Sequence, residues 1–153
     1  MMTETGLSRR SFVSGASLAG LALVIAPHIA QADVQAVKDE LQRMFGSAPM
    51  TEGRVKLTLP QIAENGLVVP LNIDVESPMS ETDYVKSVHV FAEGNPLPHV
   101  ISYHFTPECG RASASARIRL AQSQTLIAVA EMSDGSLHMA KADVKVTIGG
   151  CGG

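Results

Sequence analysis

Leu67-Val68-Val69-Pro70-Leu71-Asn72-Ile73-Asp74-Val75 sets Leu67, Val69, Leu71, Ile73 and Val75 on one side of an extended chain and Val68, Pro70, Asn72 and Asp74 on the other. Successive side chains of a strand point to opposite faces, so this alternation marks a strand with one buried face. Proline cannot donate to a sheet ladder, and Pro70 is therefore expected at an edge or a bulge.

The same period recurs on both sides of this stretch. Val55, Leu57 and Leu59 alternate with Arg54, Lys56 and Thr58 before Pro60, and a Glu64-Asn65-Gly66 turn leads back to Leu67. Further strands are expected through Val88, Val90 and Ala92, through Ile101, Tyr103 and Phe105 after a Gly94-Asn95-Pro96 turn, and through Ala116, Ile118 and Leu120. Asp134-Gly135 reads as a type I′ hairpin turn, which needs positive φ at both central positions, and the last strand ends at Ile148. About seven short strands with turns between them give an all-β fold, an Ig-like antiparallel β-sandwich over residues 33–148.

Two features qualify this plan. Val34, Val37, Leu41, Met44 and Phe45 fall on one helical face, with Asp33 as a candidate N-cap and Gly46 as a stop, so an N-terminal helix is expected. Leu126-Ile127-Ala128-Val129-Ala130 is apolar on both faces, so its outer face must be covered, either by that helix or by another subunit.

The first 32 residues stand outside the fold. Arg9-Arg10 before Phe12, the eleven-residue apolar run from Ala16 to Ala26, and Ala30-Gln31-Ala32 follow one another as in a twin-arginine signal peptide. Eleven apolar residues are too few to span a bilayer, so no membrane anchor is expected and the mature chain is placed in a periplasm. Cleavage before Asp33 removes Arg9, Arg10 and Glu4, so 12 basic and 15 acidic residues become 10 and 14, a net charge of −4. Without a basic stripe to neutralise phosphates, a nucleic-acid partner is not expected.

The chain closes with Gly149-Gly150-Cys151-Gly152-Gly153. Glycine is the residue most costly in entropy to order, so residues 149–153 are expected to form a flexible arm. The only side chain on it is the Cys151 thiol. With Lys145 as the nearest cation in sequence and the α-carboxylate of Gly153 two residues away, nothing in the tail lowers the thiol pKa. Such a thiol suits covalent attachment within a partner's site better than catalysis. Attachment through a disulfide-type bond is reversible and needs no ATP, whereas a C-terminal Gly-Gly thiocarboxylate requires adenylation in the cytoplasm. A third reading is an Ig-like binding module with an incidental tail.

Other candidate residues point less far. Cys109, in Thr106-Pro107-Glu108-Cys109-Gly110, is expected to be a buried or partly buried thiol, with a reversible Cys109–Cys151 disulfide as a minor resting state. His99 and His104 are five apart and would face opposite sides of a continuous strand; with His89, they read as surface or turn histidines, not metal ligands. Asp134, Glu131 and Asp143 read as solvated charges.

Together, Gly149-Gly150-Cys151-Gly152-Gly153, Asp143-Val144-Lys145-Val146-Thr147-Ile148, Arg117-Ile118-Arg119-Leu120-Ala121, the Ser133-Asp134-Gly135 turn and the twin-arginine leader resemble the sulfur-carrier Y subunits of the Sox thiosulfate-oxidation system. The resemblance implies a non-catalytic carrier without a cofactor of its own, paired with a Z subunit of related sandwich fold in a heterodimer or heterotetramer. Cys151 would be the covalent attachment residue and Gly149, Gly150, Gly152 and Gly153 the arm. The implied partner enzymes are a haem-containing cytochrome that couples thiosulfate to the thiol as a cysteine S-thiosulfonate, a dimanganese hydrolase that releases sulfate, and in some organisms a molybdenum sulfane dehydrogenase. A second cysteine, Cys109, departs from the single-cysteine pattern of that family.

Overall fold

The computed structural model describes residues 34–149; the signal segment, Asp33 and Gly150 to Gly153 lie outside that range. Helix α1 (Val34–Phe45) comes first. It ends where expected, at Gly46, whose φ of 63° lies in the left-handed region and whose N–H donates to the carbonyl of Gln42 at 2.9 Å.

The strands are β1 (Met50–Glu52), β2 (Val55–Thr58), β3 (Ile62–Ala63), β4 (Val69–Val75), β5 (Val85–Ala92), β6 (His99–His104), β7 (Ala112–Ile118), β8 (Gln124–Met132) and β9 (Leu137–Val146). The larger sheet runs β1-β9-β8-β5-β6 with β3 also on β9, and the smaller runs β2-β4-β7. The long pairings are antiparallel. The additions are β1 and β3, which pair in parallel with the two ends of β9. At three and two residues, neither is long enough to show a period in sequence.

Pro70 sits where one flank of β4 is open: β2 pairs only with Asn72 to Val75, while β7 pairs with the whole of β4. The Asp134-Gly135 turn joins β8 to β9, but not as type I′. Gly135 alone has positive φ, 82°, and its N–H donates to the Met132 carbonyl at 3.0 Å. Ser133 and Asp134 thus occupy an ordinary turn followed by one left-handed glycine, the usual solution for a hairpin with a longer loop. The Ser136 hydroxyl first, and then the Ser136 N–H, which donates to the Asp134 carboxylate at 2.9 Å, hold its pKa below the usual carboxylate range.

The core explains the two-faced run. Leu126, Ala128 and Ala130 point between the sheets with Leu71, Ile73, Val88 and Val90. Ile127 and Val129 point the other way, into a second cluster with Phe91, Leu137 and Val37 of the helix, flanked by Leu41, Met44 and Phe45. Of the two covers expected, the helix is the one seen. Each large apolar side chain so buried contributes about 1.5–3 kcal/mol, so this second core fixes α1 on the outside of the larger sheet.

Candidate functional site

The site is the root from which the glycine tail leaves the sandwich. Strand β9 delivers the chain there, and β3 with the turn after it receives it. The Lys145 N–H donates to the Gln61 carbonyl at 2.9 Å and the Thr147 N–H to the Ala63 carbonyl at 3.0 Å. The Thr147 hydroxyl donates to the Glu64 carbonyl at 2.8 Å. One residue further, the carbonyl of Ile148 accepts from the Gly66 N–H at 2.7 Å, and the Gly66 carbonyl accepts from the Leu120 N–H at 2.8 Å. The Glu64-Asn65-Gly66 turn therefore bridges the end of β9 to the segment that follows β7.

That segment is itself held. The buried side chain of Asn95 donates to the Arg119 carbonyl and accepts from the Ala121 N–H, both at 2.9 Å, and also accepts from the Gln124 side-chain amide at 2.9 Å. On the other flank of β9, the Ser123 hydroxyl accepts from the Val146 N–H at 2.9 Å. Gly149 comes next, and there a Cβ would stand 2.3 Å from the carbonyl oxygen of Ala121. The groups that meet the root are backbone amides and carbonyls, an asparagine and hydroxyls: a device for holding a chain, without an acid–base pair. Of the expected carrier residues the structure describes Gly149 alone; Gly150, Cys151, Gly152 and Gly153 lie outside the described residues.

Sequence reasoning missed this root. Asn95 and Gly66 read only as turn residues, and the partners that make them a clamp lie 24 to 82 residues away along the chain.

Other readings are corrected. His99 and His104 do not face opposite sides, because β6 is not continuous: Val90 pairs with Ile101 but Phe91 pairs with His99, which leaves Val100 as an extra residue. The bulge turns both imidazoles toward His89, with ring centroids 5.6 and 6.0 Å away. His89 is no surface histidine, being 8% exposed under Phe45 of the helix. Its Nδ1 lies 2.8 Å from the Ser102 hydroxyl and its Nε2 3.1 Å from that of Ser87, so both ring nitrogens have partners. Burial first, then the neighbouring His99 and His104, push its pKa down, against a smaller pull from Glu131. Among the described residues no group of three or more His, Cys, Asp or Glu is arranged to hold a metal ion. Glu131 is not merely solvated, since its carboxylate pairs with the Lys86 ammonium at 2.6 Å, and Asp143 accepts from the Thr125 hydroxyl at 2.7 Å.

Cys109 is exposed, not buried. It closes a single 3₁₀ turn, Pro107–Cys109, with Gly110 at φ 65° behind it, so its side chain is carried outward. The seven residues of β7 lie between it and the Leu120 segment at the root; Cys151, its expected minor partner, lies outside the described residues.

The model for the family described as "Sulfur oxidation protein SoxY" matches residues 41–151. The chain belongs to the SoxY family. A solved structure agrees: the sulfur carrier protein SoxY from Chlorobium limicola f thiosulfatophilum is 30% identical, covers 74% of this chain and 98% of its own, and superposes with a TM-score of 0.63. The fold reaches further. A superoxide reductase (neelaredoxin) from Ignicoccus hospitalis, 17% identical, covers 61% of this chain and 80% of its own with a TM-score of 0.55. The hypothetical protein PH1083 from Pyrococcus horikoshii OT3, 13% identical, covers 63% and 96% with a TM-score of 0.52. At such identities these two share the fold alone. No curated protein sequence matches the chain.

SoxY membership makes this a sulfur carrier of thiosulfate oxidation, not a catalyst, and implies a Sox partner such as SoxZ. The all-β sandwich with its N-terminal helix is the fold of that family.

Proposed function

We propose that Cys151 holds thiosulfate-derived sulfur covalently and offers it to a succession of partner enzymes, on an arm of Gly149, Gly150, Gly152 and Gly153. The observation that carries this reading is the root: the last strand is clamped through Thr147 and Ile148, three residues before a thiol whose neighbours are all glycine. A body that fixes the start of a tail and supplies no acid–base pair suits presentation of cargo.

The chemistry balances without a cofactor in this chain. The thiol and thiosulfate join as cysteine S-thiosulfonate, releasing one proton and two electrons, which a haem-containing cytochrome accepts. Water then cleaves the terminal S–S bond at a dimanganese hydrolase, giving sulfate, one proton and a cysteine persulfide. A molybdenum dehydrogenase is the candidate for oxidising the remaining sulfane sulfur. Disulfide-type linkages exchange without ATP, which fits the export implied by the twin-arginine leader; the proposed location is the periplasm, in complex with a SoxZ-type subunit.

Intact-mass analysis of protein purified from thiosulfate-fed cells tests this. Sulfur or sulfonate adducts that map to Cys151 and vanish in Cys151→Ser are expected. Unmodified Cys151 in such cells, or adducts on Cys109 instead, would sink the proposal.

A further inference from the structure

Four glycines around one thiol read, in sequence, as one uniform flexible arm. The structure separates the first of them from the rest. Gly149 stands 28 residues after Ala121 along the chain, yet its Cα lies so near the Ala121 carbonyl that a Cβ would reach 2.3 Å from the oxygen and 3.4 Å from the carbon. Real Cβ atoms do not approach a backbone oxygen so closely, and neither partner is a side chain that could swing aside. The need at Gly149 is therefore for close approach, which differs from the need for many conformations. Its φ is not in the left-handed region either; among described glycines only Gly46, Gly53, Gly110 and Gly135 have positive φ.

The contact continues a run of fixed points. Thr147 is bonded through its N–H and its hydroxyl to Ala63 and Glu64, and Ile148 through its carbonyl to Gly66. Ala121, the surface that Gly149 meets, is itself pinned by Asn95.

We infer that Gly149 is a positioning residue, the last fixed point of the described body, whose close approach to Ala121 sets where the carrier arm begins. This rests on the reading of Cys151 as the carrier thiol. Two residues carry the chain from Gly149 to Cys151, so their Cα atoms lie at most about 7 Å apart. An enzyme that reaches the thiol must bring its reacting centre to within about 10 Å of the Gly149 Cα once the side chain is added. The body of the carrier is thereby drawn against each partner, and the residues beside the root, Leu67, Val68 and the 66% exposed Ile148, become part of what each partner meets.

The test uses the full mature chain carrying Cys109→Ser. In ¹⁵N relaxation, the Gly149 amide is expected to show an order parameter near 0.85, the rigid-backbone value, with Gly150 and Gly152 below about 0.6. A nitroxide on Cys151 should broaden amides around Gly66, Leu120 and Ala121 and few others. In Gly149→Ala the broadening should spread over more of the surface and the hydrogen-exchange protection of Gly66 should fall about tenfold, while Gly150→Ala leaves that protection unchanged. A Gly149 amide as mobile as Gly150 would overturn the inference, as would identical behaviour of the two alanine variants. If Gly149→Ala does not fold, the relaxation data on the unsubstituted glycine decide alone. None of these readouts involves sulfur, so their failure is distinct from a failure to find adducts on Cys151.

Discussion

The imidazole of His89 and the hydroxyl of Ser102 are joined at 2.8 Å beneath helix α1, and Ser102 is joined in turn to His99 at 2.9 Å. This chain of polar groups lies within the interface that docks the helix, between Phe45 on one side and His104, Ser87 and the Lys86–Glu131 pair on the other. Because burial lowers the His89 pKa, the fold favours the neutral ring. That contribution is present above the unfolded value near 6.5 and is lost as pH falls through the lowered folded value. Chemical denaturation between pH 7 and 5 should show a decline of at most about 1.4 kcal/mol per pH unit from this single proton, and the decline should shrink in His89→Gln. An unchanged slope in the variant would assign the effect to other groups.

Val37 is 1% exposed in the helix–sheet core, whereas Val34, on the same helix, is 43% exposed. Val37→Ala should lower stability by about 2 kcal/mol, as expected for removing buried methyl groups. Val34→Ala should stay within about 0.5 kcal/mol. Urea unfolding of the two variants compares them directly, and equal losses would contradict helix docking through Val37.

Asn95 ties Gln124 to the backbone of Arg119 and Ala121. Asn95→Ala leaves those buried groups unpaired, at a cost of about 1–3 kcal/mol. Hydrogen exchange at Leu120 and Ala121 should accelerate more than exchange at Val88 in the core. A uniform acceleration across the sandwich would mean that Asn95 acts on global stability and not on the root.

Cys109 and Cys151 should not form a disulfide within one chain. Seven residues of β7 separate Cys109 from the root, roughly 20 Å at strand spacing, while a disulfide needs Cα atoms within about 7 Å and two residues beyond Gly149 extend about as far. Diamide oxidation is expected to give linked pairs of chains, read on a non-reducing gel and absent in Cys109→Ser where the linkage is mixed. A monomer carrying the Cys109–Cys151 peptide would refute this.

The strand pattern was legible because it is local. Leu67 to Val75 alternate, and the structure places Val69, Leu71, Ile73 and Val75 in the core as the period requires. The helix and its glycine stop were legible for the same reason. Three things were not. The bulge at Val100 breaks the parity on which the placement of His99 and His104 depended, and no residue type announces it. The burial of Cys109 was inferred from habit of residue type, and a 3₁₀ turn reversed it. The clamp at the tail depends on β3, two residues long, and on contacts between segments distant in sequence, which periodicity does not register.

Those distant contacts impose an order on synthesis. Thr147 bonds to Glu64 across 83 residues, and among the described residues β9 is the strand that pairs with both β1 and β3. A ribosome exposes the receiving segments long before the strand that fills them, so these pairings form only after β9 has emerged. Until β9 arrives, the backbone groups of β1, β3 and the Glu64-Asn65-Gly66 turn that it satisfies have no partner, so this flank of the sandwich closes late.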